Sequence, residues 1–215
     1  VDDALREVQT VYISIINPSG SVNYTATNAS GLWGTVVNVS ALGEGSHFAV
    51  IYANDTLGNL NSTVNITFIV DRTAPLVNIT TPLTNTNLSS GNRNFNATII
   101  DNLVEGQAVY FSISNSSLGY VNYTATNQSG LWGAVVNLSA LAEESHVVIV
   151  YANDSAGNLN SMVNISVIVD RSAPQVNITT PRNNSNFTNG IQNFNSTVVD
   201  SLLFVDTVIF SFDNA

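Results

Sequence analysis

Cysteine is absent from the 215 residues, so no disulfide, zinc–thiolate centre or cysteine nucleophile can form. Lysine is absent too. Only 9% of residues are charged, against about 25% in ordinary globular domains. Those charges are mostly acidic, with a net charge of −10 and a pI near 4.1. Such a balance excludes the basic surface that nucleic acid requires. No apolar run approaches the ~18 residues of a membrane helix. No signal peptide is visible, and Val1 is no natural start, so a piece of a longer protein is expected. No glycine-rich phosphate loop or nucleophile–base triad is present, so no enzyme is expected. What the chain does have is 44% hydrophobic residues, enough to build cores. Its solubility must come from Asn, Ser and Thr, or from something attached to them.

One junction occurs twice. Val70-Asp71-Arg72-Thr73-Ala74-Pro75 returns as Val169-Asp170-Arg171-Ser172-Ala173-Pro174. Pro75 and Pro174 have no N–H and a fixed φ, so no strand ladder runs through them. The short stretch leaves little hinge freedom and predicts a stiff seam. The same period of ~99 residues relates Ser30-Gly31-Leu32-Trp33-Gly34 to Ser129-Gly130-Leu131-Trp132-Gly133. It also relates Asn94-Phe95-Asn96 to Asn193-Phe194-Asn195. The domains follow: 1–71, a repeat lacking its first strands; 72–170, a complete repeat; 171–215, strands A to C of a third.

Within a period, apolar and polar residues alternate, as in half-buried strands. Strands are expected at about 76–80, 94–100, 107–114, 120–126, 132–138, 146–152 and 163–169, with a polar loop from Asn85 to Asn92. Phe95, Ala97 and Ile99 face inward, as do Val109, Phe111 and Ile113. Trp132, Ala134, Val136 and Leu138 share one face. Seven short strands without a helical period predict an all-β fold of tandem Ig-like antiparallel sandwiches.

The Tyr-Ala-Asn-Asp-x-x-Gly-Asn turn and the Val-Asp-Arg-Thr/Ser-Ala-Pro-x-Val-Asn-Ile junction resemble the tandem Ig-like repeats of large prokaryotic surface proteins, archaeal ones above all. The resemblance covers the whole chain. It implies an extracellular structural role as stalk, filament or surface layer, with copies of the chain itself as partners. The alternative it leaves is an adhesin or carbohydrate-binding module. The repeats agree nearly throughout, which favours structure.

Asn-x-Ser/Thr is the N-glycosylation acceptor. It occurs at Asn23, Asn28, Asn38, Asn54, Asn61, Asn65, Asn78, Asn87, Asn96, Asn115, Asn122, Asn127, Asn137, Asn153, Asn164, Asn177, Asn183, Asn186 and Asn195. Random placement of 31 Asn and 44 Ser/Thr would give roughly 6. Strand alternation places polar residues two apart on one solvent face, but alternation has no direction. The reversed order, Ser/Thr-x-Asn, occurs only at Asn23, Asn65 and Asn92. N-linked glycans are therefore expected, and with them an extracellular or cell-surface location. Asn38, Asn65, Asn78, Asn96, Asn137, Asn164, Asn177 and Asn195, with apolar neighbours facing in, are expected to point outward.

Asp55 and Asp154 sit in Asn-Asp-x-x-Gly-Asn turns, where Asx capping of the backbone accounts for them. Calcium held by these with Asp71 or Asp170, Asp101 and Glu105 is the alternative. Calcium wants six to eight oxygens, and this spacing is loose, so no metal is expected. His47 and His146 have no recurring partner and read as structural. Trp33 and Trp132 read as core. The strand with Phe48, Val50 and Tyr52, repeated as Val147, Ile149 and Tyr151, is apolar on both faces. Either long neighbours cover its outer face, or these six residues form a lateral assembly contact.

Overall fold

The computed structural model describes residues 7–17, 20–104 and 106–213. They form two compact units. The first is Val1–Leu76 with the segments Ile100–Ala108 and Asn153–Asn160; the second is Val77–Ile99 with Val109–Ala152 and Ser161–Ala215. Compactness therefore places two segments of the second repeat with the first unit.

The first unit contains β1 (Val8–Asn17), β2 (Gly20–Thr25), β3 (Thr27–Ala29), β4 (Leu32–Gly34), β5 (Gly45–Asp55) and β6 (Leu60–Val70). One sheet runs β2-β1-β5-β6, all antiparallel, and β3-β4 is a separate hairpin. The hairpin turn carries Ser30 at φ 53° and Gly31 at φ 89°. Two positive φ values in a two-residue loop match the right-handed twist of the strands it joins. The Asn28 Oδ1 accepts from the Gly31 N–H at 2.8 Å.

The second repeat contains β7 (Leu76–Thr81), β8 (Thr86–Leu88), β9 (Asn92–Ile100), β10 (Gly106–Asn115), β11 (Gly119–Thr124), β12 (Thr126–Gln128), β13 (Leu131–Asn137), β14 (Glu144–Asp154), β15 (Leu159–Asn160) and β16 (Asn164–Val169). Its sheets are β11-β10-β14-β16-β8 and β12-β13-β9-β7, and β15 pairs with β14. Alternating inward residues from both sheets make one core. Phe95, Phe111, Ile113, Val136, Leu138 and Val148 are each 0% exposed. Phe95 and Phe111 meet edge to face at 6.1 Å. This is the expected antiparallel sandwich, with one addition. The polar loop from Asn85 to Asn92 contains β8, which pairs in parallel with β16.

Pairing partners explain where the repeats differ. β13 extends to Asn137 because Val135, Val136 and Asn137 lie opposite Asn94, Arg93 and Asn92 of β9. Among the described residues the first repeat has no counterpart of β9, and β4 stops at Gly34. Val39 is accordingly 49% exposed, whereas its equivalent Leu138 is fully buried. The third repeat holds β17 (Gln175–Thr180) and β18 (Asn195–Val199), antiparallel to each other. Its expected strand C, one period after 107–114 and so at about 206–213, lies in no ladder. In the second repeat the equivalent strand is held between β11 and β14. Two 3-10 turns, Val39–Ala41 and Leu138–Ala140, escape a reading by strand period.

Candidate functional site

Two features recur with the repeat, the junction and the acceptor asparagines, and a carboxylate cluster lies beside the first junction. At the first junction the Arg72 guanidinium donates to the Val39 and Leu42 carbonyls at 2.8 and 2.9 Å. Glu44 accepts from the Arg72 N–H and from the Thr73 hydroxyl. At the second, Arg171 donates to the Leu138 and Leu141 carbonyls and pairs with Glu143 at 3.3 Å. Ser172 donates to Glu143, and that bond leads in holding the Glu143 carboxyl below its ordinary range. Each arginine thus satisfies the end of a 3-10 turn. The sequence reading missed both pairs, although their recurrence at Glu44/Glu143 and Arg72/Arg171 was a signal.

Loop residues then grip the junction backbone. The Asn158 side-chain amide donates to the Asp71 carbonyl at 3.2 Å, and that of Asn160 to the Pro75 carbonyl at 2.8 Å. Within the same unit Asp71, Asp101 and Asp154 converge, with one carboxylate oxygen from each lying within 4.8 Å of the others. Asp154 is fully buried. Its burial opposes ionisation, but bonds from the Asn158 side chain and the turn N–H groups outweigh it and lower the pKa. Asp101 accepts from the Leu103 and Val104 N–H groups, and Asp71 Oδ1 from the Thr73 N–H. Asp71 Oδ2 is buried with no hydrogen-bond partner. An orphaned carboxylate oxygen beside two further carboxylates fits a hard, oxygen-seeking cation such as calcium.

Three of the six sequence candidates are therefore gathered. Asp55 stays in its own turn, accepting from Leu57, Asn59 and the Asn59 side chain. Asp170 belongs to the second unit, where its Oδ1 accepts from the Ser172 N–H. Glu105 lies outside the described residues.

Fifteen of the acceptor asparagines are exposed; Asn54, Asn96 and Asn153 are half-buried. Asn115 differs: it is 5% exposed, and its Oδ1 accepts from the Ser117 N–H. The same bond, side chain to the N–H two residues on, occurs at Asn38, Asn61 and Asn137. Asx-turn chemistry thus contributes to the Asn-first direction at these four.

The family model of the bacterial Ig-like domain (group 3) matches residues 31–116 and 130–209. The chain belongs to this family. Its Ig-like repeats are also 34% identical over 117 residues to halomucin of Haloquadratum walsbyi, covering 52% of this chain and 1% of that protein. Among solved structures, the fibronectin(III)-like modules of Clostridium thermocellum CbhA match at TM-score 0.40 and 13% identity, over 80% of this chain and 83% of theirs. An endo-beta-1,4-mannanase from Thermotoga petrophila matches at TM-score 0.40 and 10% identity, over 47% and 21%.

In the Ig-like repeats both histidines face backbone. His146 is fully buried, its ring nitrogens at the Ser114 and Ala142 carbonyls; His47 Nε2 meets the Gly43 carbonyl at 2.9 Å. Trp132 is buried in the core and Trp33 packs beside Val11 and Ala53. On β5 Phe48 is 49% exposed, with Val50 and Tyr52 half-buried; on β14 Val147 is 37% exposed, with Ile149 and Tyr151 half-buried. No helix among the described residues is long and apolar enough to cross a membrane.

Proposed function

We propose that the chain serves as an extracellular scaffold, in which N-glycosylated Ig-like repeats form a stalk or filament. The observation that carries this reading is the excess of directional Asn-x-Ser/Thr triplets, most of them exposed on a chain in which only 9% of residues are charged. Glycans there would supply the polar coat that charged side chains normally provide, and would blunt exposed strand edges. The family membership and the halomucin match support a surface role. Glycopeptide mass spectrometry of protein made in its native host is the test. The expected result is sugar on many exposed acceptors and none on buried Asn115; unmodified asparagines throughout would end the reading.

The carboxylate cluster supports calcium as part of the same scaffold. Asp71, Asp101 and Asp154 would hold the ion, whose charge offsets their mutual repulsion beside the junction. Isothermal titration with CaCl2 should show binding in the full chain and none in Asp71→Asn. Equal heats in the two proteins would reject the site.

A further inference from the structure

The outer face of the sheet β2-β1-β5-β6 carries an apolar strip. Register places Phe48 opposite Ile16, Val50 opposite Ser14 and Tyr52 opposite Tyr12. The two tyrosine rings stack at 4.6 Å and 6°. Directly opposite residues of an antiparallel pair share a face, so the rows can be followed outward. On β2, Asn23 lies opposite Ser14 and Thr25 opposite Tyr12. On β6, Asn65 lies opposite Val50 and Thr67 opposite Phe48. One row therefore reads Asn23, Ser14, Val50, Asn65 across four strands. Each margin of the strip is a glycan acceptor, and the hydroxyl residue of each acceptor lies opposite an aromatic ring. Ser14 is only 4% exposed, so the middle of the row is a trough. These rows contain no charged residue.

The second repeat keeps the arrangement, with Val147 where the first has Phe48. Asn122 lies opposite Ser112 and Thr124 opposite Tyr110. Asn164 lies opposite Ile149 and Ser166 opposite Val147. Tyr110 and Tyr151 stack at 4.7 Å and 10°, and Ser112 is again 4% exposed.

We propose that what covers this face is the protein's own carbohydrate. The first sugar rings on Asn23 and Asn65, and on Asn122 and Asn164, lie flat on the apolar strip between them. A pyranose ring presents a face of C–H groups, which suits an aromatic face and an aliphatic neighbour. Strands lie about 4.8 Å apart, close to the width of one such ring. A sugar on Asn65 therefore reaches Val50 directly and Phe48 diagonally. A sugar on Asn23 crosses the serine trough. A neutral sugar also suits rows without charge better than a charged partner would. The inference rests on the reading of these triplets as used acceptors, and it assigns the strip to glycan rather than to a second copy of the chain.

Tyrosine nitration, located by mass spectrometry, tests it. The full chain from the native host is compared with Thr25→Ala/Thr67→Ala/Thr124→Ala/Ser166→Ala from the same host. That variant removes the four acceptor triplets and leaves every asparagine and aromatic residue in place. A control variant, Ser89→Ala/Thr188→Ala, removes two acceptors elsewhere. Tyr12, Tyr52, Tyr110 and Tyr151 should nitrate severalfold faster in the first variant and at the parent rate in the control. The unaltered chain made without glycosylation should match the first variant. Equal nitration of glycosylated and unglycosylated protein, with sugar proven on the four asparagines, would overturn this inference alone. Bare asparagines at those positions in native material would overturn it together with the acceptor reading at those four sites. Protection accompanied by dimerisation of the unglycosylated chain in sedimentation would assign the strip to a second copy instead.

Discussion

Hydrogen bonds lead in holding the carboxyls of Asp55, Asp200 and Glu144 below their ordinary range. The Asn59 side chain leads in lowering the Asp55 pKa, and the Leu203 N–H leads at Asp200. The Ser116 N–H leads at Glu144. A depressed folded-state pKa contributes stability that is fully present above the unfolded value and lost as pH falls through the folded one. The unfolding midpoint should therefore stay level from neutral pH down to about 5 and fall steadily below about 4. Thermal melts followed by circular dichroism across that range check the sign. Turn roles at Asp55 and Asp154 were readable from sequence, because an Asx turn is closed within a few residues. Asp71, Asp101 and Asp154 were among the six calcium candidates, but which of the six meet was not readable, since tertiary folding alone brings such distant positions together. Asn115 shows the converse: its triplet is indistinguishable from the others, and only burial sets it apart.

At the scale of elements, the long strands were readable because period two persists over six or more residues. β8 spans three residues, Thr86–Leu88, too few to show any period. The arginine–glutamate pairs at the junctions were also unreadable locally, being 28 residues apart in the Arg72–Glu44 case. Arg171 donates to the Leu138 and Leu141 carbonyls, the first of which also accepts from the Leu141 N–H. Arg171→Ala should cost about 1 kcal/mol, measured by urea unfolding, with the added urea sensitivity mapping to the turn Leu138–Ala140. The same residue type in different company should behave differently. Phe95 is 0% exposed and its counterpart Phe194 is 36% exposed. Phe95→Ala should destabilise by about 3–5 kcal/mol. Phe194→Ala should cost well under half of that.

Taken whole, the molecule holds near-identical strands in unequal surroundings. The second repeat packs Phe95, Phe111, Ile113 and Val136 between two sheets. The first divides its buried residues between two small clusters, around Ile15 and around Val11. Amide hydrogen exchange should therefore be slower in β14 than in β5, although both run from the residue before a Ser-His pair to a Tyr-Ala-Asn-Asp turn. Peptide-level exchange mass spectrometry reads this directly, and equal protection would contradict it. Fold class and repeat length were readable at this scale because the copies are so alike. The unequal cores were not, because they depend on which strands find partners.

The parallel pairing of β8 with β16 has a mechanical consequence. β8 lies near the start of the second repeat and β16 ends it at Val169, with Val167, Ile168 and Val169 opposite Thr86, Asn87 and Leu88. The Asp170 N–H adds a bond to the Leu88 carbonyl at 2.9 Å, and the Asn85 N–H one to the Ser166 carbonyl. Tension applied through Pro75 and Arg171 draws these two strands in opposite directions along their length. Their bonds then bear the load together and must shear as a group, rather than opening one after another. In single-molecule pulling, replacing Asn85 with proline, which removes the N–H that donates to the Ser166 carbonyl, should lower the rupture force of the repeat.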